Sequence, residues 1–303
     1  MPKTLFPIIA AGLAIASAPA NAKTTLQPSS DWQLREYDDK CRVSRSFGSG
    51  KDAVSLWLDK GGPGFGINVT LIGRPFRSPY GPRVDIGFGE TPPVTRNFVI
   101  GTSSKGRPVL SMFGVVPVSL TETVAAESVD EEAEETVNFK TAAITGGEFD
   151  AEAYEKRLAA VESLALSRAL IDPVELQFDG FDAAMTDLFA CTAKLTTRLR
   201  QQERSALRRS KPVDPAKWAK KIQESYPAHL VREKQEGNVG VRMTINAKGR
   251  ATFCEVTRYS GPVSFNDTAC LQMLRHSRFE PALNADGEPV ASFYSTTITY
   301  RLN

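Results

Sequence analysis

"GNVGVRMTINAKGRATFCEV", residues 237–256, decides the fold of the C-terminal third of the chain. Val239, Val241, Met243 and Ile245 recur at every second place, "NAKG" supplies turn residues, and Thr252, Cys254 and Val256 resume the same period. That pattern predicts a β-hairpin. In "YSGPVSFNDTACLQMLRHSRF", residues 259–279, Ser264 or Asn266 is placed to cap a helix. Its inward stripe is Cys270, Met273, Leu274 and Ser277. "EPALNADGEP" then bends the chain into "VASFYSTTITYRL", residues 290–302, where Tyr294, Thr296, Ile298, Tyr300 and Leu302 share a face. The expected order is strand, strand, helix, strand.

Working outward, "MPKTLFPIIAAGLAIASAPANA" at residues 1–22 has a basic start at Lys3, an apolar run and a small-residue exit. It predicts a secretory signal peptide cut after Ala22. The run is shorter than the roughly 20 residues that span a bilayer; left uncut, it would serve as an anchor. No later stretch is apolar enough to cross, so no membrane span is expected after cleavage. The formal charge is +2, and loss of Lys3 with no acid leaves 2 − 1 = +1. Such a balance offers no field for nucleic acid, and none is expected as a partner.

A secreted chain matures where thiols oxidise, so its four cysteines predict two disulfides. Three pairings are possible and sequence does not choose among them. Proximity favours Cys254 with Cys270, which leaves Cys41 for Cys191.

The length and the 41% apolar content suit two domains, and the fold class expected is α+β. Residues 31–120 read as a β-rich domain. Val54, Leu56 and Leu58, then Ile67, Val69 and Leu71, then Val84, Ile86 and Phe88 alternate with other residues, while Cys41 shares a face with Val43 and Phe47. "KGGPGFG", "SPYGP" and "GETPP" stand between the runs as turns. Residues 121–147 open with seven acids and no base and read as an acidic linker or loop. Residues 148–211 read as a helical segment packing on the β-rich domain, with an apolar stripe of Phe181, Met185, Leu188, Cys191, Leu195 and Leu199. Residues 215–303 form the last module, in which an antiparallel three-stranded sheet packs on a helix.

That module resembles the C-terminal domain of TonB-type energy transducers. The likeness runs from about Tyr226 to Leu302 and rests on "YPAHLVREKQEGNVGVRMTI", "AKGRATFCEV", "SG", "RFEPA", "DGEPV" and the closing strand. It implies a short opening helix and an antiparallel sheet packed on a helix. A subset of such domains has one cysteine on the second strand and one on the helix, the places of Cys254 and Cys270. The resemblance further implies that the C-terminal strand grips a segment of an outer-membrane transporter by strand addition. The matching segment is Ser295 to Leu302, with Ser295, Thr297, Thr299 and Arg301 facing outward and Tyr226 and Pro227 at the entrance.

The pattern departs from a transducer in its cleavable leader, which has no histidine, and in the folded β region that replaces a Pro-rich spacer. The expected protein is therefore a periplasmic binding module for an outer-membrane transporter or another envelope protein, with self-association open to the same edge. The alternatives are an inner-membrane anchored transducer that keeps its leader, and a secreted enzyme or ligand-binding protein with its site in residues 31–200. No enzyme activity, cofactor or metal is expected: His229 and His276 are the only histidines, no CxxC occurs, and "KGGPGFG" lacks the ending of a phosphate loop.

Overall fold

The computed structural model describes residues 23–118, 151–262 and 264–302. The expected leader with its cut after Ala22 and the acidic segment 121–147 lie outside the described residues. Strands before the acidic segment are β1 (Thr24–Leu26), β2 (Gln33–Glu36), β3 (Cys41–Phe47), β4 (Val54–Lys60), β5 (Ile67–Ile72), β6 (Arg83–Phe88), β7 (Val94–Asn97), β8 (Val99–Thr102) and β9 (Pro108–Val115). After it come α1 (Ala151–Ala159), β10 (Ser163–Ser167), β11 (Val174–Gln177), α2 (Phe181–Arg204), β12 (Lys211–Pro212), α3 (Pro215–Glu224) and α4 (Ala228–Arg232). The last part holds β13 (Gly237–Ile245), β14 (Ala251–Ser260), α5 (Ser264–His276), the two-residue strands β15 (Phe279–Glu280), β16 (Ala282–Leu283) and β17 (Pro289–Val290), and β18 (Ser292–Tyr300).

The first unit has two sheets, ordered β2-β3-β4-β5-β9-β8 and β1-β11-β10-β6-β7. Only Phe98 separates β7 from β8, so the chain passes from the edge of one sheet straight to the edge of the other. The alternating residues of β3 to β6 share one core with the stripe of α2, from Phe181 to Leu199. Cys41 on β3 and Cys191 on α2 are disulfide-bonded, with Cα atoms 6.1 Å apart.

Residues 148–211 depart from the expected helical segment, because α1 and α2 enclose two strands. "SLALS" is β10, held between β6 and β11, and β11 also accepts β1 in parallel. Leucine and alanine favour helices. Here Leu164 and Leu166 bury on one face while strands pair on both sides, and tertiary pairing overrides that preference. The β-rich unit therefore draws strands from both sides of the acidic segment.

In the second unit β13 is central, flanked by β14 and β18 in antiparallel register. Val239, Val241, Met243 and Ile245 pack with Cys254, Phe265, Met273, Ile298 and Tyr300 beneath α5. The hairpin turn closes because Asn246 Oδ1 accepts the Lys248 and Arg250 N–H groups at 3.0 Å each and Gly249 takes φ +70°. Cys254 and Cys270 are disulfide-bonded, with Cα atoms 5.5 Å apart. α5 begins at Ser264, so Asn266 lies buried inside its first turn rather than capping it.

Candidate functional site

Both strands flanking β13 are sheet edges, and β18 is the one expected from the sequence to meet a partner. Gln223 Nε2 on α3 donates to the Thr299 carbonyl at 2.5 Å, so this carbonyl points away from β13. Antiparallel pairing alternates, which puts the backbone groups of Thr297, Ser295 and Phe293 on that outer side too. Among the described residues no main-chain group bonds to this row. Ser295 and Thr297 are exposed; Thr297 Oγ1 accepts from Arg258 Nη2 at 2.9 Å, and Thr299 Oγ1 donates to Asn238 Oδ1 at 2.8 Å.

The edge is displaced from the expected Ser295–Leu302. β18 stops at Tyr300, and the Leu302 N–H turns back to donate to Glu236 Oε1 at 2.8 Å. Arg301 stays exposed, but past the ladder. Tyr226 is turned inward: its hydroxyl donates to the Gln235 carbonyl, and its ring meets Phe265 and Tyr300 edge-on at 5.3 and 5.4 Å. With Pro227 opening α4, Tyr226 pins the entrance of the module to its core.

The sequence reading missed a second feature, the seat on which this sheet rests. The sheet face opposite α5 carries Arg242, Thr244, Phe253, Glu255 and Phe293, and "KGGPGFG" between β4 and β5 packs against it. Thr244 Oγ1 donates to the Gly61 carbonyl at 2.6 Å. A Cβ on Gly61 would stand 2.8 Å from Phe253 Cβ and 2.9 Å from the Asp39 carbonyl, and one on Gly64 would overlap the Glu255 carboxylate. None of Gly61, Gly62, Gly64 and Gly66 has positive φ. These glycines serve close approach rather than turn geometry. Gly61→Val is expected to cost about 1–3 kcal/mol through overpacking, measured by urea denaturation against the native protein.

Lys60 enters this seat almost fully buried and donates to the Gly64 carbonyl. Its ammonium lies 5.3 Å from the Phe189 ring. Burial lowers its pKa to about 8; Glu255 acts against that shift and Arg242 with it. Glu255 is itself held by Arg242 at 2.7 Å. A second seam joins the units where Arg96 meets Asp267 at 2.8 Å, while Arg96 Nη2 also donates to the Phe113 carbonyl at 2.8 Å. Burial raises the Asp267 carboxyl against the pull of Arg96. The glycines that follow Lys60 in "KGGPGFG" are the available signal in the sequence, yet nothing local says what approaches them.

Among the described residues no helix is long and apolar enough to cross a membrane, and no group of three or more His, Cys, Asp or Glu side chains is placed to hold a metal. No curated protein matches the chain. Residues 222–302 match the family described as Gram-negative bacterial TonB protein C-terminal.

Proposed function

We propose, from the premise that residues 222–302 form a TonB C-terminal domain, that the protein binds partners in the cell envelope by adding a partner strand to the outer edge of β18. The domain family supports a TonB-related protein-interaction role; strand addition is the finer reading. The observation that carries it is the outward row of backbone groups at Phe293, Ser295, Thr297 and Thr299, which no main chain among the described residues pairs. α5 covers one face of the sheet and the glycine seat takes the Phe253 end of the other, which leaves the edge for a partner; Gln223 occupies only the Thr299 carbonyl at its far end. The partner is an outer-membrane transporter or another envelope protein met in the periplasm, and the role is binding rather than catalysis. Because the module is seated directly on a folded unit, it acts as an adaptor in place of a tethered arm.

Proline at an outward position removes a donor from the free side alone, whereas at the neighbouring position it breaks the ladder to β13. Thr297→Pro is expected to fold and to recover at least about tenfold less partner from envelope extracts, a loss of ~1.4 kcal/mol. Thr296→Pro, which faces Val241, is expected to destabilise the module itself. Undiminished recovery by folded Thr297→Pro refutes edge pairing.

A further inference from the structure

Where the edge begins, at Phe293 and Ser295, it opens into a cleft of about 460 Å³. That is within the range of roughly 300–1,000 Å³ typical of ligand sites. The other walls are Arg200 and Glu203 from the last turns of α2, Arg209 from the connection after it, and Arg242 from β13. Arg200 and Arg209 are exposed, lie outside the family match at 222–302, and form no ion pair or side-chain hydrogen bond among the described residues. Arg242 is already held by Glu255. Among the described residues Glu203 is the one acid lining this cleft and forms no ion pair, against the two guanidinium groups of Arg200 and Arg209.

We infer that the segment added to β18 is an acidic extended peptide, whose carboxylate is received by Arg200 and Arg209 at the Ser295 end of the edge. This rests on the edge-pairing reading above. A strand laid along β18 carries its side chains past Ser295 into the cleft, where the Phe293 ring forms an apolar wall. A guanidinium beside apolar surface gains more from a carboxylate than one in open water, and its fork donates to both oxygens. The negative C-terminal end of α2 accounts for a base at Arg200. It does not account for Arg209, which lies beyond the helix end at Arg204. The binding groove is thus composite: the TonB-like domain supplies the hydrogen-bonding edge, and the preceding helix and connection supply charge selection.

The test uses the full chain and three labelled nine-residue peptides of alternating valine and threonine: one with two aspartates at its N-terminal end, one with them at its C-terminal end, and one with asparagines instead. Fluorescence anisotropy is expected to show one acidic peptide binding at least tenfold tighter than the asparagine peptide, with the advantage shrinking as salt rises. Arg200→Gln with Arg209→Gln is expected to erase that advantage, and Glu203→Gln to enlarge it. Thr297→Pro is expected to weaken all three peptides alike. Equal binding of acidic and neutral peptides, or an advantage that survives the double arginine variant, overturns the inference; if Thr297→Pro still weakens binding, the edge reading stands. An acid preference untouched by Thr297→Pro overturns the coupling of cleft and edge, and no binding by any peptide overturns both readings.

Discussion

Replacing Cys41 and Cys191 together by alanine is expected to remove up to about 5 kcal/mol from the stability of the first unit. The bond closes a loop of 150 residues, and cross-linking so long a segment removes more unfolded-chain entropy than a short one does. The bond between Cys254 and Cys270 spans 16 residues, for which the same relation allows about 3 kcal/mol. The order of the two losses is therefore a check in itself. Both Cys41 and Cys191 are buried, so the substitution also leaves a small void where α2 meets β3. Urea denaturation followed by tryptophan fluorescence measures the effect, since Trp32 packs on Phe178 and on Phe181 at the start of the same helix. A loss below about 1 kcal/mol would show that packing alone holds α2 in place.

The second large effect is a pH dependence at the seat between the units. Lys60 is charged in the unfolded chain up to its ordinary value of 10.5, but in the folded protein burial lowers this to about 8. Between those values the unfolded chain binds more protons, so stability rises with pH across the window. The destabilisation is absent above 10.5 and appears in full as pH falls through 8. It amounts to about 3 kcal/mol as a ceiling. Lys60→Met removes the titrating group while keeping its bulk against Phe189, and is expected to abolish this rise. Glu255 and Arg242, the charged groups facing Lys60, remain in both proteins, so subtracting one pH profile from the other isolates the lysine. A difference that stays flat from pH 8 to 10.5 would mean that Lys60 is hydrated in solution.

These two effects bear on function through α2. The helix is tied to β3 by the disulfide, lies near β18, and carries Arg200 and Glu203 at the mouth of the cleft. Loosening either the bond or the seat is expected to move charge selection relative to the edge.

Much of the second unit was legible because its information is local. Alternation at Val239 to Ile245 and at Tyr294 to Tyr300 marks which side of each strand is apolar, and the spacing of Cys270 and Met273 marks the buried stripe of α5. The short apolar run of "SLALS" suits either period, and only the flanking β6 and β11 decide for a strand over the helix that its composition predicts. The sequence places Tyr226 at the entrance of the module but does not show that its ring packs on Phe265 and Tyr300, which stand far off in sequence.

By itself, the order of residues determined β3 to β6, β13, β14 and β18, the turn at Asn246 to Gly249, the inward stripes and the likeness of the last module to a TonB domain, because side-chain periodicity and turn geometry act over a few residues. Only tertiary structure decided that β13 lies between β14 and β18, that the glycines after Lys60 seat the sheet, and that Arg200 and Arg209 line one cleft with Ser295. Those outcomes depend on contacts between segments tens to hundreds of residues apart, and whether such segments meet depends on how the whole core packs.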